Sequence, residues 1–151
     1  MWIRGNGDTI DEIFRRKELD SRIEYFEPMN KKELLKLQRE ATVLVNPVSP
    51  SQEFTNYFFP SKTMEYLSSG TPTLMFQLSC LPKEYQNHLY FFDNESIEKI
   101  KDKLVEICEK PKDELSTFGK LAADFIFREK NAKIQVKKLI NLIEKWEKYS
   151  I

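Results

Sequence analysis

Pro60 and the run Gly70-Thr71-Pro72 bracket the segment Ser61 to Ser69 more firmly than any other local signals in this chain. Proline suits a first helical turn, where a missing N–H costs nothing, and glycine followed two residues on by proline ends a helix. A short helix from Ser61 to Ser69 is therefore expected. An extended apolar run, Thr42 to Pro47, precedes it and another, Thr73 to Phe76, follows, so the local order is strand, loop, helix, strand. The loop from Val48 to Phe59 is long for such a unit, and long ordered loops are more often functional than connective. At the end of that loop the helix presents free N–H groups and the positive end of its dipole, the local chemistry that binds phosphate. Glu65 falls one turn further in, within reach of a neutral hydroxylated group beyond the phosphates. On spacing alone, a solvated Glu65 and a surface Lys62 are equally good readings.

The rest of the chain extends the alternation. Met1 to Arg4 is short and apolar, and Gly5-Asn6-Gly7-Asp8 turns it into a helix with Asp8 or Thr9 as N-cap and Ile10, Ile13 and Phe14 on one face. A dinucleotide fingerprint fails there, because its third glycine would fall on Ile10. Arg22 to Phe26 alternates as a strand before Pro28. Asn30 with Glu33 makes a capping box for a helix through Gln38 that buries Leu34, Leu37 and Ala41. Thr42 to Val45 is apolar on both faces, as a central parallel strand should be, and Leu89 to Phe92 is a last short strand. Five strands alternating with helices predict an α/β fold, a doubly wound Rossmann-like parallel sheet over residues 1–95 with helices on both faces. Residues 96–151 read as C-terminal helices of the same domain, with apolar stripes at Ile97, Ile100, Leu104 and Ile107, then Leu115 to Ile126, then Val136 to Trp146. Ligands of open parallel sheets bind beyond the carboxyl ends of the strands, so Gly5 to Gly7, Phe26 to Pro28 and Asn46 to Phe59 are expected to line the cleft.

Composition narrows the classes of function. The 151 residues carry 24 basic and 24 acidic side chains, a net charge of zero that provides no field for nucleic acid or an anionic membrane. Cys80, Cys108 and the lone His88 are too few and too scattered for a structural zinc site or a disulfide framework, which makes a reducing cytoplasm the default. No stretch has the apolar length of a membrane span. His88, alone in a loop, reads as polar surface, and the aromatics Phe54, Tyr57, Phe58 and Phe59 read as packing rather than base stacking.

Phe59-Pro60-Ser61-Lys62-Thr63-Met64-Glu65-Tyr66-Leu67 with Ser69-Gly70-Thr71-Pro72 resembles the nucleotide-sugar signature of retaining, family 4 glycosyltransferases of the GT-B fold, especially bacterial polysaccharide-assembly members. Trp2 to Asp8 is similar to the second strand and turn of that family's C-terminal domain, and Ala41 to Pro47 to its fourth strand. The resemblance implies a donor-binding domain whose Glu65 holds the ribose of a UDP- or GDP-linked sugar. Ser61, Lys62 and Thr63 would receive the diphosphate at the helix N-terminus, with Gly5 and Phe26 at neighbouring strand ends. The family's other glutamate, which contacts the donor sugar, would stand where this chain has Tyr57. Tyr57 is thus the candidate donor-sugar position, and the carboxylate's role does not carry over to it. Glu84 and Tyr85 resemble a recurring element of the same subfamily and receive no chemistry.

What the resemblance finds missing matters equally. The N-terminal acceptor domain, and the first strand and helix with the Arg and Lys that grip the diphosphate, have no counterpart here. In the family's strand order, 3-2-1-4-5-6, that first strand would lie between Met1 to Arg4 and Thr42 to Val45. The expectation is that these two strands pair directly, in a chain prone to homodimerise through its truncated side. The functional expectation is the donor-binding half of a glycosyltransferase acting on a polysaccharide or lipid-linked acceptor, without metal or cofactor, with no catalytic residue assigned, and inactive alone. Its location would be cytoplasmic, with any peripheral contact at the inner membrane face made by the full-length protein. The alternative is a non-catalytic nucleotide-binding or assembly module. A phosphate-accepting signalling fold is disfavoured because the strand ends lack an acidic cluster.

Overall fold

The computed structural model describes residues 1–5 and 7–149, and side chains up to residue 146. Asn6 of the first turn, and the last two residues of the C-terminal helical segment, lie outside the described residues. The chain forms two compact units, residues 1–37 and 38–151, each described by itself.

In the first unit, β1 (Trp2–Arg4) runs parallel to β2 (Glu24–Phe26), with Arg4 opposite Phe26. The helix between them, α1 (Ile10–Leu19), buries no residue fully; it meets the sheet through Phe14, whose ring lies 5.3 Å from that of Tyr25. Of the two expected N-caps, Asp8 and Thr9, Thr9 holds the position, and its side chain makes no capping hydrogen bond. A bidentate Arg22–Asp20 pair shapes the turn into β2, and its guanidinium holds the Asp20 carboxyl down to about 2. The helix α2 (Lys31–Glu40) begins as expected, with the Glu33 N–H donating to Asn30 Oδ1 at 3.0 Å. Its stripe is a correction: Leu34, Leu37 and Ala41 are only half-buried, and the buried residue is Gln38.

The second unit holds β3 (Leu44–Asn46), β4 (Thr73–Phe76) and β5 (Tyr90–Phe92), all parallel in the order β3-β4-β5. Between β3 and β4 stands α3 (Ser61–Ser69), with the expected bounds. Gly70 closes it at φ 81°, a left-handed conformation that glycine adopts without steric cost. The run Thr42 to Val45, expected as a central strand, is corrected: the strand covers Leu44–Asn46 and lies at the edge of this three-stranded sheet. All four residues of β4 are buried, the mark of a central strand covered on both faces.

Three helices follow. In α4 (Ile97–Cys108) the Ser96 hydroxyl accepts from the Lys99 N–H. Next comes α5 (Lys112–Glu129), and α6 (Ala132–Tyr149) is capped by Asn131 Oδ1 accepting from the Ile134 N–H at 3.0 Å. The core gathers Leu67, Leu74, Met75, Ile107, Ala122 and Phe125 around the three strands and α5. Not every expected stripe reaches it. Ile97 is 87% exposed, and in α6 Val136, Leu139, Ile140, Ile143 and Trp146 are exposed, while Ile134 is half-buried.

The architecture is thus α/β with parallel sheets, but the five strands form two sheets, of two and three strands, and β1 does not pair with β3. The expected direct pairing is corrected by the residues of β1 themselves. Trp2 and Arg4 are exposed and only Ile3 is half-buried, whereas a strand inside a parallel sheet needs apolar residues on both faces. Among the described residues, no helix is long and apolar enough to cross a membrane.

Candidate functional site

Pro60 ends the long loop at φ −65° and ψ 108°, and no side chain caps the helix that begins after it. The N–H groups of Ser61 and Lys62 therefore start α3 without a side-chain acceptor, and both residues are exposed. Thr63 is placed differently. Its N–H donates to the Pro60 carbonyl at 2.9 Å, and its buried hydroxyl faces the Met75 sulfur at 3.7 Å.

Glu65 lies half-buried one turn on, and its Oε1 accepts from Gln38 Nε2 at 2.6 Å. Spacing alone allows a solvated Glu65; in the folded chain it is a carboxylate held by a buried amide. Gln38 is itself anchored, because the buried Thr71 donates its hydroxyl to the Gln38 carbonyl at 2.7 Å. The same threonine receives order from the end of α3, its N–H donating to Ser69 Oγ at 3.1 Å. Thus the Ser69-Gly70-Thr71-Pro72 run both ends the helix and fixes the residue that holds Glu65.

The loop leading to α3 is ordered by its own contacts. Ser49 donates to Glu95, Ser79 donates to Asn56 at 2.8 Å, and the Cys80 thiol donates to the Phe58 carbonyl at 3.1 Å. A 3-10 turn, Glu53–Asn56, buries Thr55, whose hydroxyl donates to the Gln52 carbonyl at 2.6 Å. Of the four loop aromatics, Phe59 packs inward against Tyr85 at 5.2 Å, which agrees with the packing reading. Phe54 and Phe58 pair with each other at the surface, and Tyr57, expected at the donor-sugar position, is 86% exposed.

Gly5 and Phe26 belong to the first unit, at the carboxyl ends of its two paired strands. Gly5 is exposed, and its carbonyl accepts from the Tyr25 hydroxyl at 2.8 Å. Beside it, Arg4, Gly5, Gly7 and Thr9 line a half-open pocket of about 150 Å³. Phe26 is half-buried against Trp2.

His88 is not polar surface. It is half-buried in a 3-10 turn, Lys83–His88, and stacks on Phe125 with centroids 4.2 Å apart; burial lowers its pKa, opposed by the nearby Glu129. Glu84 and Tyr85, which carried no assigned chemistry, are structural: Lys130 pairs with Glu84 and lies 5.2 Å from the centroid of the Tyr85 ring.

Gln38 is the residue that reading the sequence missed. Its signal was present, a polar side chain in the same helical stripe as Leu34, Leu37 and Ala41. Among the described residues, Gln38 Oε1 and Asn46 Nδ2 are buried side-chain atoms with no hydrogen-bond partner. Comparison of the chain with protein-family models, with curated proteins and with solved structures returned no match in any of the three.

Proposed function

We propose that this chain is the donor-binding half of a glycosyltransferase of the GT-B type, one that moves a sugar from a nucleoside diphosphate to a polysaccharide or lipid-linked acceptor. The observation that carries the reading is the pairing of an uncapped helix N-terminus with a held carboxylate one turn inside it. A nucleoside diphosphate presents the matching groups in the same order, anionic oxygens and then a ribose diol. In this mechanism the N–H groups of Ser61 and Lys62 meet the charge that develops on the departing diphosphate. Lys62, exposed at the same turn, adds a positive charge, and Glu65 accepts hydrogen bonds from the ribose hydroxyls. Retention of anomeric configuration follows from the resemblance alone.

The split sheet supports the same reading. Removing strand 1 from the order 3-2-1-4-5-6 leaves a parallel pair and a parallel trio, and β2-β1 with β3-β4-β5 are such a pair and trio. Cytoplasmic placement belongs to the same proposal, since nucleotide sugars are used there.

Calorimetric titration with UDP and with GDP tests the reading. Saturable binding of one of them, weakened about tenfold or more in Glu65→Ala through loss of a charge-assisted hydrogen bond, is the expected result. A folded chain that binds neither nucleotide contradicts it. Binding that Glu65→Ala leaves unchanged would remove ribose recognition from Glu65 and favour a non-catalytic module, in keeping with the exposed Tyr57 at the sugar position.

A further inference from the structure

An apolar residue would satisfy the packing at position 38, since the stripe around it is Leu34, Leu37 and Ala41. A glutamine stands there instead, 4% exposed, with its Nε2 on Glu65 Oε1 at 2.6 Å and its own Oε1 buried without a partner. Leaving a buried acceptor unpaired costs free energy that a methionine or leucine would not. What the amide obtains in return is one short hydrogen bond to a carboxylate. Thr71 donates to the Gln38 main-chain carbonyl, which fixes the backbone from which the amide reaches Glu65. A neutral donor also differs in kind from Lys or Arg, because it orients the carboxylate without cancelling its charge.

We propose that Gln38 is a positioning residue for ligand binding. It holds Glu65 so that the second carboxylate oxygen is aimed at a vicinal diol, at the cost of an unpaired amide carbonyl. This inference rests on the nucleotide reading given above. It adds a second position to diol recognition, contributed by α2 rather than by the helix that carries Glu65.

The test uses the full chain, titrated calorimetrically with UDP and GDP and with their 2′,3′-dideoxy counterparts. Wild type, Gln38→Met, Glu65→Ala and the double variant are compared; methionine keeps the length and the unbranched shape of glutamine. The wild-type chain is expected to prefer the ribo form about tenfold. Gln38→Met should lower affinity for the ribo form about fivefold, leave the dideoxy form unchanged, and add nothing on top of Glu65→Ala. A ribo preference that persists in Gln38→Met overturns the inference and leaves the nucleotide reading standing. Absence of any ribo preference in the wild type overturns that reading and this inference with it. If Gln38→Met fails to fold, the wild type decides the matter through the Gln38 side-chain amide resonances. They should shift on adding the ribonucleotide and stay in place with the dideoxy form, and a bound ribonucleotide that leaves them unmoved overturns the proposal.

Discussion

A Cβ built on Gly119 would lie 2.0 Å from the carbonyl oxygen of Gly70, so α5 meets the end of α3 backbone against backbone. The two glycines serve different ends. Gly70 supplies the left-handed turn that stops α3, and Gly119 supplies the room for α5 to reach it. Since Thr71 follows that turn and holds Gln38, the packing of α5 bears on the candidate site through a short chain of contacts.

Gly119→Ala should therefore destabilise the fold more than Gly70→Ala. At Gly119 the obstacle is backbone, which cannot move aside as a side chain would, and a loss of about 3 kcal/mol is expected. At Gly70 the nearest atom to an added methyl is Ala123 Cβ at 4.0 Å, so only the left-handed conformation is penalised, by about 1 kcal/mol. Urea unfolding of the two variants checks the order, and equal losses would show that the helices can separate cheaply.

His88 makes stability depend on pH. Burial against Phe125 lowers its folded-state pKa below the ordinary histidine value. The unfolded state then binds the proton more readily than the folded state. The contribution is fully present above the unfolded pKa, about 6.5, and is lost as pH falls through the lower folded value. Melting temperatures from pH 7.5 to 5 should decline in the wild type and decline less in His88→Phe. Equal slopes would mean that the imidazole titrates as it does in the unfolded chain.

Lys130 is a charge set among rings. Its side chain is 7% exposed, it pairs with Glu84, and its Nζ lies 5.2 Å from the centroids of both Tyr85 and Phe125. Lys130→Met keeps the aliphatic stem and removes the charge, and a loss of about 1 kcal/mol is expected. Lys130→Ala also removes the stem and should lose more. Thermal unfolding of the pair separates the two contributions; an Ala variant no worse than Met would mean the stem packs against nothing of consequence.

The apolar face of α6 should matter little to the stability of the folded chain. Leu139 and Ile143 are 57% and 51% exposed, so changing each to Gln should shift stability by no more than about 0.5 kcal/mol while shortening retention on a hydrophobic column. Ile107 is fully buried, and Ile107→Ala should lose about 3 kcal/mol. A large loss from the α6 changes would show that this face is covered in the protein as it exists in solution.

Much of the local structure was legible in the residues. Pro60 and Gly70 bound α3 where their backbone preferences require, because those preferences act within one or two residues and need no distant partner. Ser96, Asn30 and Asn131 begin helices for the same reason, each side-chain oxygen accepting from an N–H three residues on. Thr73 to Phe76 was legible as an extended apolar run, but not as the central strand of its sheet, the place expected for Thr42 to Val45. Glu65 was legible as a candidate through its place one turn into the helix.

Other features lay beyond local reading because they depend on residues far apart in the chain. Whether Glu65 is solvated or held was settled by Gln38, 27 positions earlier, and Gln38 in turn by Thr71. No periodicity announces that His88 will stack on Phe125, or that Gly119 will come against Gly70. The strands themselves could be read from the residues, but their division into two sheets could not. Apolar alternation states which face of a strand seeks cover, while the neighbour it hydrogen-bonds is chosen by packing and chain path together. Sequence alone thus determined where α3 starts and stops and which residues cap the helices that follow Asn30, Ser96 and Asn131, since capping and backbone sterics are local. Tertiary structure decided which side chains are held, buried or left unpaired, since those depend on contacts that only folding brings together.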